Sequence, residues 1–179
     1  MSEPAADLAN PNESGGRLIL LFDPAFEPDQ QDEVPSHVVL GAWLLNEAGV
    51  PSRFQPNPHY RPSTPDSPLD PVDAVLRALV RGEDVADQLP VVLRDSVLGI
   101  AAHADGTAVI RPAPDGVPSV QVATSYGHRA AVGDVGWLDV TLGQVAGALP
   151  AEGVDVLLNA GSPASMRLTA SAVRAAAET

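Results

Sequence analysis

The sequence predicts a single α+β domain, in which helices cover a mixed sheet that contains antiparallel hairpins. Three observations lead to this fold class. Strand-like and helix-like segments follow one another in mixed order, without the strict alternation of strand and helix that a doubly wound fold requires. Asp105-Gly106, between two apolar segments, is a strong signal for a tight antiparallel hairpin. Asp70-Pro71 supplies the cap and the first residue of the clearest amphipathic helix.

The strands are predicted from apolar runs that lie between turn residues. Arg17–Phe22 is continuously apolar after its first residue, a pattern typical of a buried strand. Residues 38–45 and 50–54 flank the turn residues 46–49, in which Gly49 supplies a positive φ, so these segments are expected to form a hairpin. Further strands are expected at residues 97–102, 107–111 and 117–123, which form a meander, and at the buried run 154–159.

The helices are predicted from caps and from apolar spacing. Asp70 is expected to cap a helix over residues 70–81, because apolar side chains then recur at helical spacing. Residues 84–94 predict a second helix, which either kinks at Pro90 or begins near Leu89, since proline disrupts a helix interior. Two more helices are expected, one with a capping box at residues 141–149 and an alanine-rich one at residues 169–178.

Three segments are expected to lie outside these elements. Residues 1–16 lack a periodic apolar pattern and are expected to be a disordered tail, which leaves residues 17–179 for the domain. Residues 23–33 carry five acids and no base, which indicates a solvated loop or, as the alternative, an attraction for a basic partner. Residues 55–68 hold five prolines and can form neither a helix nor a central strand.

The charge and residue content argue against several classes of function. Ten basic residues against 23 acidic ones give a net charge of -13, whereas nucleic acids and anionic membranes attract basic surfaces. The chain has no Cys, so disulfides, thiol catalysis and thiolate metal sites are excluded. Its apolar runs are far shorter than the ~20 residues of a membrane span, and no export signal is visible. We therefore expect a cytoplasmic protein without membrane insertion or a nucleic-acid partner.

The sequence lacks the familiar motifs for catalysis and cofactor binding. The four histidines, His37, His59, His103 and His128, do not lie at metal-ligand spacing, and no serine-hydrolase elbow or phosphate-binding glycine motif occurs. We therefore expect no metal, no cofactor and no catalytic residue. Ser125 and His128 would form a nucleophile–base pair only with an orienting acid and an oxyanion hole, so a hydrogen-bonded turn is the favoured interpretation.

Two loops offer side chains for binding a partner. Residues 57–62 combine a proline-stiffened backbone with Tyr60 and Arg61, whose residue types are enriched in protein interfaces. The alternative for this loop is that Tyr60 packs back on its own domain. Residues 159–168 form a small, polar connection after a buried strand, where backbone donors can be open. The favoured alternative for this loop is a connector that is needed only for its backbone conformation. The candidate partner contacts are Tyr60, Arg61, Thr124, Ser125, Asn159, Ser162, Met166 and Arg167.

The second half of the chain resembles a known family. Residues 148–168 read ALPAEGVDVLLNAGSPASMRL, and they follow a predicted strand that ends in Thr124-Ser125 and a glycine–tryptophan pair at 136–137. This pattern resembles the SseB amino-terminal-domain family. The sequence departs from the family at two positions, since Ala160 stands where the family has proline and Ala123 where it usually has an aromatic residue.

Shorter stretches upstream resemble a second group of proteins. Residues 41–44, 57–62 and 70–74 resemble proteins labelled type VII secretion system-associated in actinobacteria. Together the two resemblances imply an α/β fold and a cytoplasmic accessory role near a secretion machine, and they imply no catalytic residue.

The expected function is therefore that of a non-enzymatic accessory or adaptor protein, which binds another protein such as a type VII secretion component or substrate. Two alternatives remain open. One is a small-molecule-binding or hydrolytic enzyme that uses the loops at residues 124–128 and 159–167. The other is a purely structural domain without a separable site.

Overall fold

A computed structural model of the chain describes residues 17–27 and 34–178. Within these ranges it contains strands β1 (Arg17–Phe22), β2 (Val39–Leu45), β3 (Gln55–Pro56), β4 (Leu98–Ala102), β5 (Ile110–Pro112), β6 (Pro118–Ala123), β7 (Gly136–Val140), β8 (Asp155–Leu158) and β9 (Met166–Leu168). The helices are α1 (Pro71–Val80), α2 (Gln88–Arg94), α3 (Tyr126–Arg129), α4 (Leu142–Ala148) and α5 (Ala170–Glu178). The predicted α+β class is confirmed. The predicted tail and residues 28–33 lie outside the described residues.

The larger of the two sheets has six strands and is mixed. Its main order is β7-β4-β6-β8-β9, and β5 also pairs with β6. The β6–β8 pair is parallel, whereas the other pairs are antiparallel. Strands β4 and β5 pair with successive parts of β6, as the partners Ile100↔Val122 and Ile110↔Val120 show.

The main hydrophobic core lies between this sheet and four helices, α1, α2, α4 and α5. Alternate side chains of the three central strands enter the core, because successive side chains of a strand point to opposite faces. The strands contribute Leu98, Ile100, Val120, Val122, Val156 and Leu158, and the helices contribute Val72, Val75, Leu76, Leu89, Leu93, Leu142, Val145 and Val173. A smaller cluster contains Ala101, Val109 and Val132.

The smaller sheet has the order β1-β2-β3, with antiparallel pairing throughout. Phe54 is buried and links this sheet to the rest of the chain, because its backbone N–H donates to the Asp95 carbonyl and its carbonyl accepts from Val97. Gly41 allows the Phe54 ring to lie directly against β2, since a Cβ atom at that position would come within 2.4 Å of the ring. Trp43 packs beside the same ring at a centroid distance of 4.8 Å.

The local helix signals are confirmed. The Asp73 N–H donates to Asp70 Oδ1 at 2.9 Å, so Asp70 caps α1 as predicted. Helix α2 begins late, at Gln88, so Pro90 lies in its first turn. Backbone N–H groups in the first turn of a helix have no partner within the helix, so the missing N–H of proline costs no hydrogen bond there. Thr141 forms the predicted capping box at the start of α4.

Several strand predictions were wrong or incomplete. Strand β1 has the predicted bounds, but its side chains are largely exposed, because it is the edge of a small sheet. The segment 50–54 does not form the predicted regular strand, and the short edge strand β3 follows inside the proline-rich loop. The predicted meander is confirmed where β5 pairs with β6. Strand β4, however, pairs with β6 rather than with β5, and only a single bridge, Ala102↔Ala108, joins the end of β4 to the segment before β5. Strands β7 and β9 and helix α3 were not predicted.

No helix among the described residues has both the length and the apolar character needed to cross a membrane.

Candidate functional site

A buried cluster of two carboxylates and an imidazole lies at the start of α1. Asp70, Asp73 and His128 each have at most 5% of their surface exposed. His128 Nε2 lies 3.8 Å from Asp70 Oδ2 and 3.7 Å from Asp73 Oδ1, beyond ordinary hydrogen-bond distance. Asp73 also forms an ion pair of 2.8 Å with Arg77. The burial of His128 was not indicated by its sequence context, which predicts only a hydrogen-bonded turn.

Thr124 and Asn159 connect this cluster to the central strands. Thr124 Oγ1 donates to Asp70 Oδ2 at 2.6 Å, and Asn159 Oδ1 accepts from the Thr124 N–H at 2.9 Å. Asn159 has a φ of 51°, a conformation that asparagine tolerates better than most residues. Because Thr124 follows β6 and Asn159 follows β8, this network joins two parallel strand ends to the helix start. Both side chains are buried, which gives them a positioning role in the loops.

Burial changes the acid–base behaviour of the cluster. Desolvation raises the pKa of Asp70, although the hydrogen bonds from Thr124 and Asp73 oppose the shift. Desolvation also lowers the pKa of His128, against the attraction of the two carboxylates. Both shifts favour uncharged side chains.

The cluster does not form a serine nucleophile–base pair through Nε2. Within the described residues, Ser125 Oγ and His128 Nε2 are both buried and have no hydrogen-bond partner, so they are not bonded to each other. His128 Nε2 instead faces the carboxylates. Ser125 does line a pocket of about 170 Å³, together with Tyr60, Tyr126 and Leu69.

A second buried carboxylate, Asp23, anchors the proline-rich loop. Asp23 accepts hydrogen bonds from the Tyr60 hydroxyl at 3.0 Å, the Ser63 N–H at 2.7 Å, the Ser67 hydroxyl at 2.8 Å and the Ala25 N–H at 2.9 Å. Burial alone would raise the pKa of Asp23, but the hydrogen bonds from Ser63, Ala25 and Ser67 lower it to about 2. Burial and the neighbouring Asp23 raise the pKa of Tyr60. Tyr60 therefore packs back on its own domain.

The neighbouring residue Arg61 has a different environment. Its side chain is exposed, and its guanidinium has no hydrogen-bond or ion-pair partner among the described residues. It lines a wide depression of about 490 Å³ with His37 and His59. Of the two candidates in this loop, Arg61 is the one that is free to contact a partner.

The other candidate loop is tied to its own domain by Arg167. The Arg167 guanidinium donates to Asp115 at 2.7 Å and also to Asp155, and these carboxylates raise the pKa of Arg167. Met166 lies beside it in β9 and packs partly against the core. Ser162 is half-buried and its hydroxyl accepts from the Ala164 N–H.

The candidate contacts therefore fall into separate places. Thr124, Ser125 and Asn159 lie together at the ends of β6 and β8, with Tyr60 across the pocket that Ser125 lines. Met166 and Arg167 lie on β9, at the edge of the larger sheet.

Strand β1, which the sequence predicts to be buried, has largely exposed apolar side chains. Leu18, Ile19 and Leu20 of β1 are 47%, 46% and 44% exposed, and Leu44 of β2 is 49% exposed. Leu18 pairs with Leu44, and Leu20 pairs with Ala42, so these side chains share one face of the smaller sheet. Ile19 pairs with Trp43 on the opposite face. Among the described residues no strand pairs with the other side of β1, and exposed apolar side chains lie on both faces of this edge.

Comparison of the chain with protein-family models, with curated proteins and with solved structures finds no match. The resemblance to the SseB amino-terminal-domain family therefore stays a prediction.

Sequence reasoning missed both the buried cluster and the exposed edge. For the cluster, the available signal was position. Asp70 is the predicted cap, Asp73 lies in the first turn of the same helix, and His128 follows shortly after the predicted strand 117–123. For β1, the signal was its position, because the described residues between it and β2 form only one short helical turn, Ser36–Val38, which is too short to cover either strand.

Proposed function

We propose that this chain is a non-enzymatic accessory or adaptor protein that acts by binding another protein. The observation that carries the proposal is β1, an edge strand with exposed apolar side chains on both faces. Edge strands of soluble proteins commonly carry charges, prolines or bulges that prevent pairing. Strand β1 has one charged residue, Arg17 at its start, and a register shift only at its end, between Leu21 and Phe22.

Exposed apolar patches of this kind mark interaction sites. Leu18, Leu20 and Leu44 together offer a surface that loses contact with water when a partner binds, which is the main favourable contribution to association. The loop residue Arg61 provides a second free contact near the same sheet, because its backbone N–H donates to the His37 carbonyl just before β2.

The sequence resemblance suggests where the protein acts. It favours a type VII secretion component or substrate as the partner and the cytoplasm as the location. The partner class and the location are both part of the proposal. Identification of a crosslinked partner tests whether the partner is a type VII secretion component or substrate.

A site-specific photocrosslinking experiment tests the proposal. A benzophenone amino acid is placed at position 18 or 44, and the full chain is irradiated in the cells that naturally produce it. The matched control carries the same amino acid at Val80, which is 65% exposed on α1. We expect a discrete protein adduct from positions 18 and 44 that is absent at position 80. The absence of an adduct at the two sheet positions, or the same adducts at all three, contradicts the proposal.

A second candidate function is binding or hydrolysis of a small molecule at the pocket lined by Ser125. The observation in its favour is the buried Ser125 hydroxyl, which has no hydrogen-bond partner among the described residues. A fluorophosphonate probe distinguishes this function. Labelling of the folded chain that is lost in Ser125→Ala supports it, whereas equal absence of labelling in both proteins leaves protein binding as the better explanation.

A further inference from the structure

The backbone of β2 determines which groups of β1 are free. The Ser52 N–H donates to the Leu44 carbonyl at 2.7 Å, and the Leu44 N–H donates to the Ser52 hydroxyl at 3.0 Å. The Asn57 N–H likewise donates to the Leu40 carbonyl at 2.8 Å. The even-numbered residues of β2 therefore direct their backbone groups away from β1, and the odd-numbered residues direct theirs toward it.

The pairing of β1 with β2 determines the direction of the backbone groups in β1 as well. Leu18 lies opposite Leu44 and Leu20 opposite Ala42, so these two residues form the non-hydrogen-bonded pairs of the ladder. Their N–H and C=O groups consequently point to the free side of β1. No described residue pairs with this side of β1, so the edge offers two donors and two acceptors, spaced as an incoming strand requires.

The side chains around this edge are apolar on both faces. Leu18 and Leu20 lie on the face that also carries Leu44, and Ile19 lies on the other face beside Trp43. An incoming strand with apolar side chains at alternate positions would extend the apolar surface on either face.

The net charge of the chain indicates which charge the incoming strand carries. The first 33 residues contain eight acids and one base, and the whole chain has a net charge of -13. A second copy of the chain would carry the same net charge of -13, which opposes pairing of two β1 strands. A segment with basic residues on both sides of its apolar core is attracted instead.

We infer that the partner adds an extended, apolar segment with basic flanks to the free edge of β1, through the backbone groups of Leu18 and Leu20. This inference rests on the proposed protein-binding function and specifies the chemistry of the partner. It differs from that proposal by requiring backbone pairing and basic charge.

Synthetic peptides test the charge requirement on the full chain. The probe peptide alternates valine and threonine between lysine flanks, and the matched peptide has the same core between glutamate flanks. We expect the lysine peptide to bind at least about tenfold more tightly at low ionic strength. The difference is expected to shrink in high salt, because salt screens exposed charges. Equal affinities of the two peptides overturn the inference.

Proline variants test the backbone requirement. Leu20→Pro removes an N–H that points away from β2, so it costs no bond of the existing ladder, and proline is tolerated at such edge positions. We expect at least about a tenfold loss of lysine-peptide affinity in Leu20→Pro and retained affinity in Leu20→Val, which keeps the N–H. Leu18→Pro serves as the second variant if Leu20→Pro melts early. Unchanged affinity in a folded proline variant overturns the inference.

Two further outcomes are informative. A dimer seen by light scattering that Leu20→Pro converts to a monomer assigns the edge to a second copy and overturns the inference. Failure of the peptides while crosslinks from position 18 persist also overturns it, but leaves the proposed protein-binding function standing.

Discussion

Asp23 and Asp70 are both almost completely buried, yet the fold shifts their pKa values in opposite directions. Asp23 accepts four hydrogen bonds, which more than compensate for the loss of water. Asp70 accepts from Asp73 and Thr124 and lies close to a second carboxylate. The comparison teaches that the number of donors around a buried carboxylate, rather than its burial, decides which protonation state is stable.

The largest expected effect comes from Asp23→Asn. The new amide N–H₂ would replace one of the two carboxylate oxygens, and each of these oxygens accepts from a backbone N–H, that of Ala25 or that of Ser63. One backbone donor would therefore lose its acceptor and face another donor. We expect the free energy of unfolding to fall by about 3 kcal/mol at pH 7, measured by urea denaturation. Asp66→Asn is the matched control, because it makes the same change at an exposed position of the loop. Equal small losses in both variants would show that the Asp23 network contributes little.

The pH dependence of the same variant gives an independent check. The folded pKa of Asp23 is about 2, below the ordinary value of 3.8, so its contribution to stability is present above pH 3.8 and is lost as the pH falls toward 2. The stability difference between the wild type and Asp23→Asn should therefore narrow across that interval. A difference that stays constant down to pH 2 contradicts the lowered pKa.

A smaller effect is expected from Tyr60→Phe, which removes one of the four donors to Asp23. The variant keeps the ring, so we expect a loss of about 1 kcal/mol in the free energy of unfolding. The pKa of Asp23 should also rise toward its ordinary value, which nuclear magnetic resonance titration of the side-chain carboxyl measures. Arg61→Ala is the control in the adjacent position, and its side chain has no partner to lose among the described residues. A Tyr60→Phe variant with an unchanged Asp23 pKa would contradict the assigned hydrogen bond.

The role of Asp70 as a helix cap was predictable from the sequence, because it depends on local chemistry alone. The Asp70 cap follows from a short stretch of sequence, because an N-cap and its N–H partner are three residues apart. The approach of His128 to Asp70 depends on the parallel placement of β6 and β8 and on helix α3, which no local pattern specifies.

The exposure of β1 could not be predicted from its own residues for a related reason. An apolar run predicts a strand, but its burial depends on whether another element covers the sheet. Strand β8, with a similar run, is buried beneath helices, whereas Leu18 and Leu20 stand at a free edge. The candidate Arg61 was found from residue type alone, but the engagement of Tyr60 by Asp23 joins residues 37 positions apart.

The smallest expected effect at neutral pH comes from Asp70→Asn. Oδ1 of the asparagine still accepts from the Asp73 N–H, and Thr124 can turn its hydroxyl oxygen toward the new amide as an acceptor. The substitution also removes one of two adjacent carboxylates, so we expect a loss below about 1 kcal/mol at pH 7. Asp84→Asn, at an exposed position after α1, is the control for the charge change alone.

The pH dependence of Asp70→Asn should have the opposite sign to that of Asp23→Asn. Because burial raises the folded pKa of Asp70 above 3.8, its contribution to stability is complete below pH 3.8 and is lost as the pH rises through the folded value. The wild type should therefore exceed Asp70→Asn in stability most clearly in acid, and the difference should narrow toward pH 7. Urea denaturation at a series of pH values measures this difference directly. If the difference instead widens with rising pH, as for Asp23, then Asp70 is stabilised in its charged form and the contrast between the two aspartates fails.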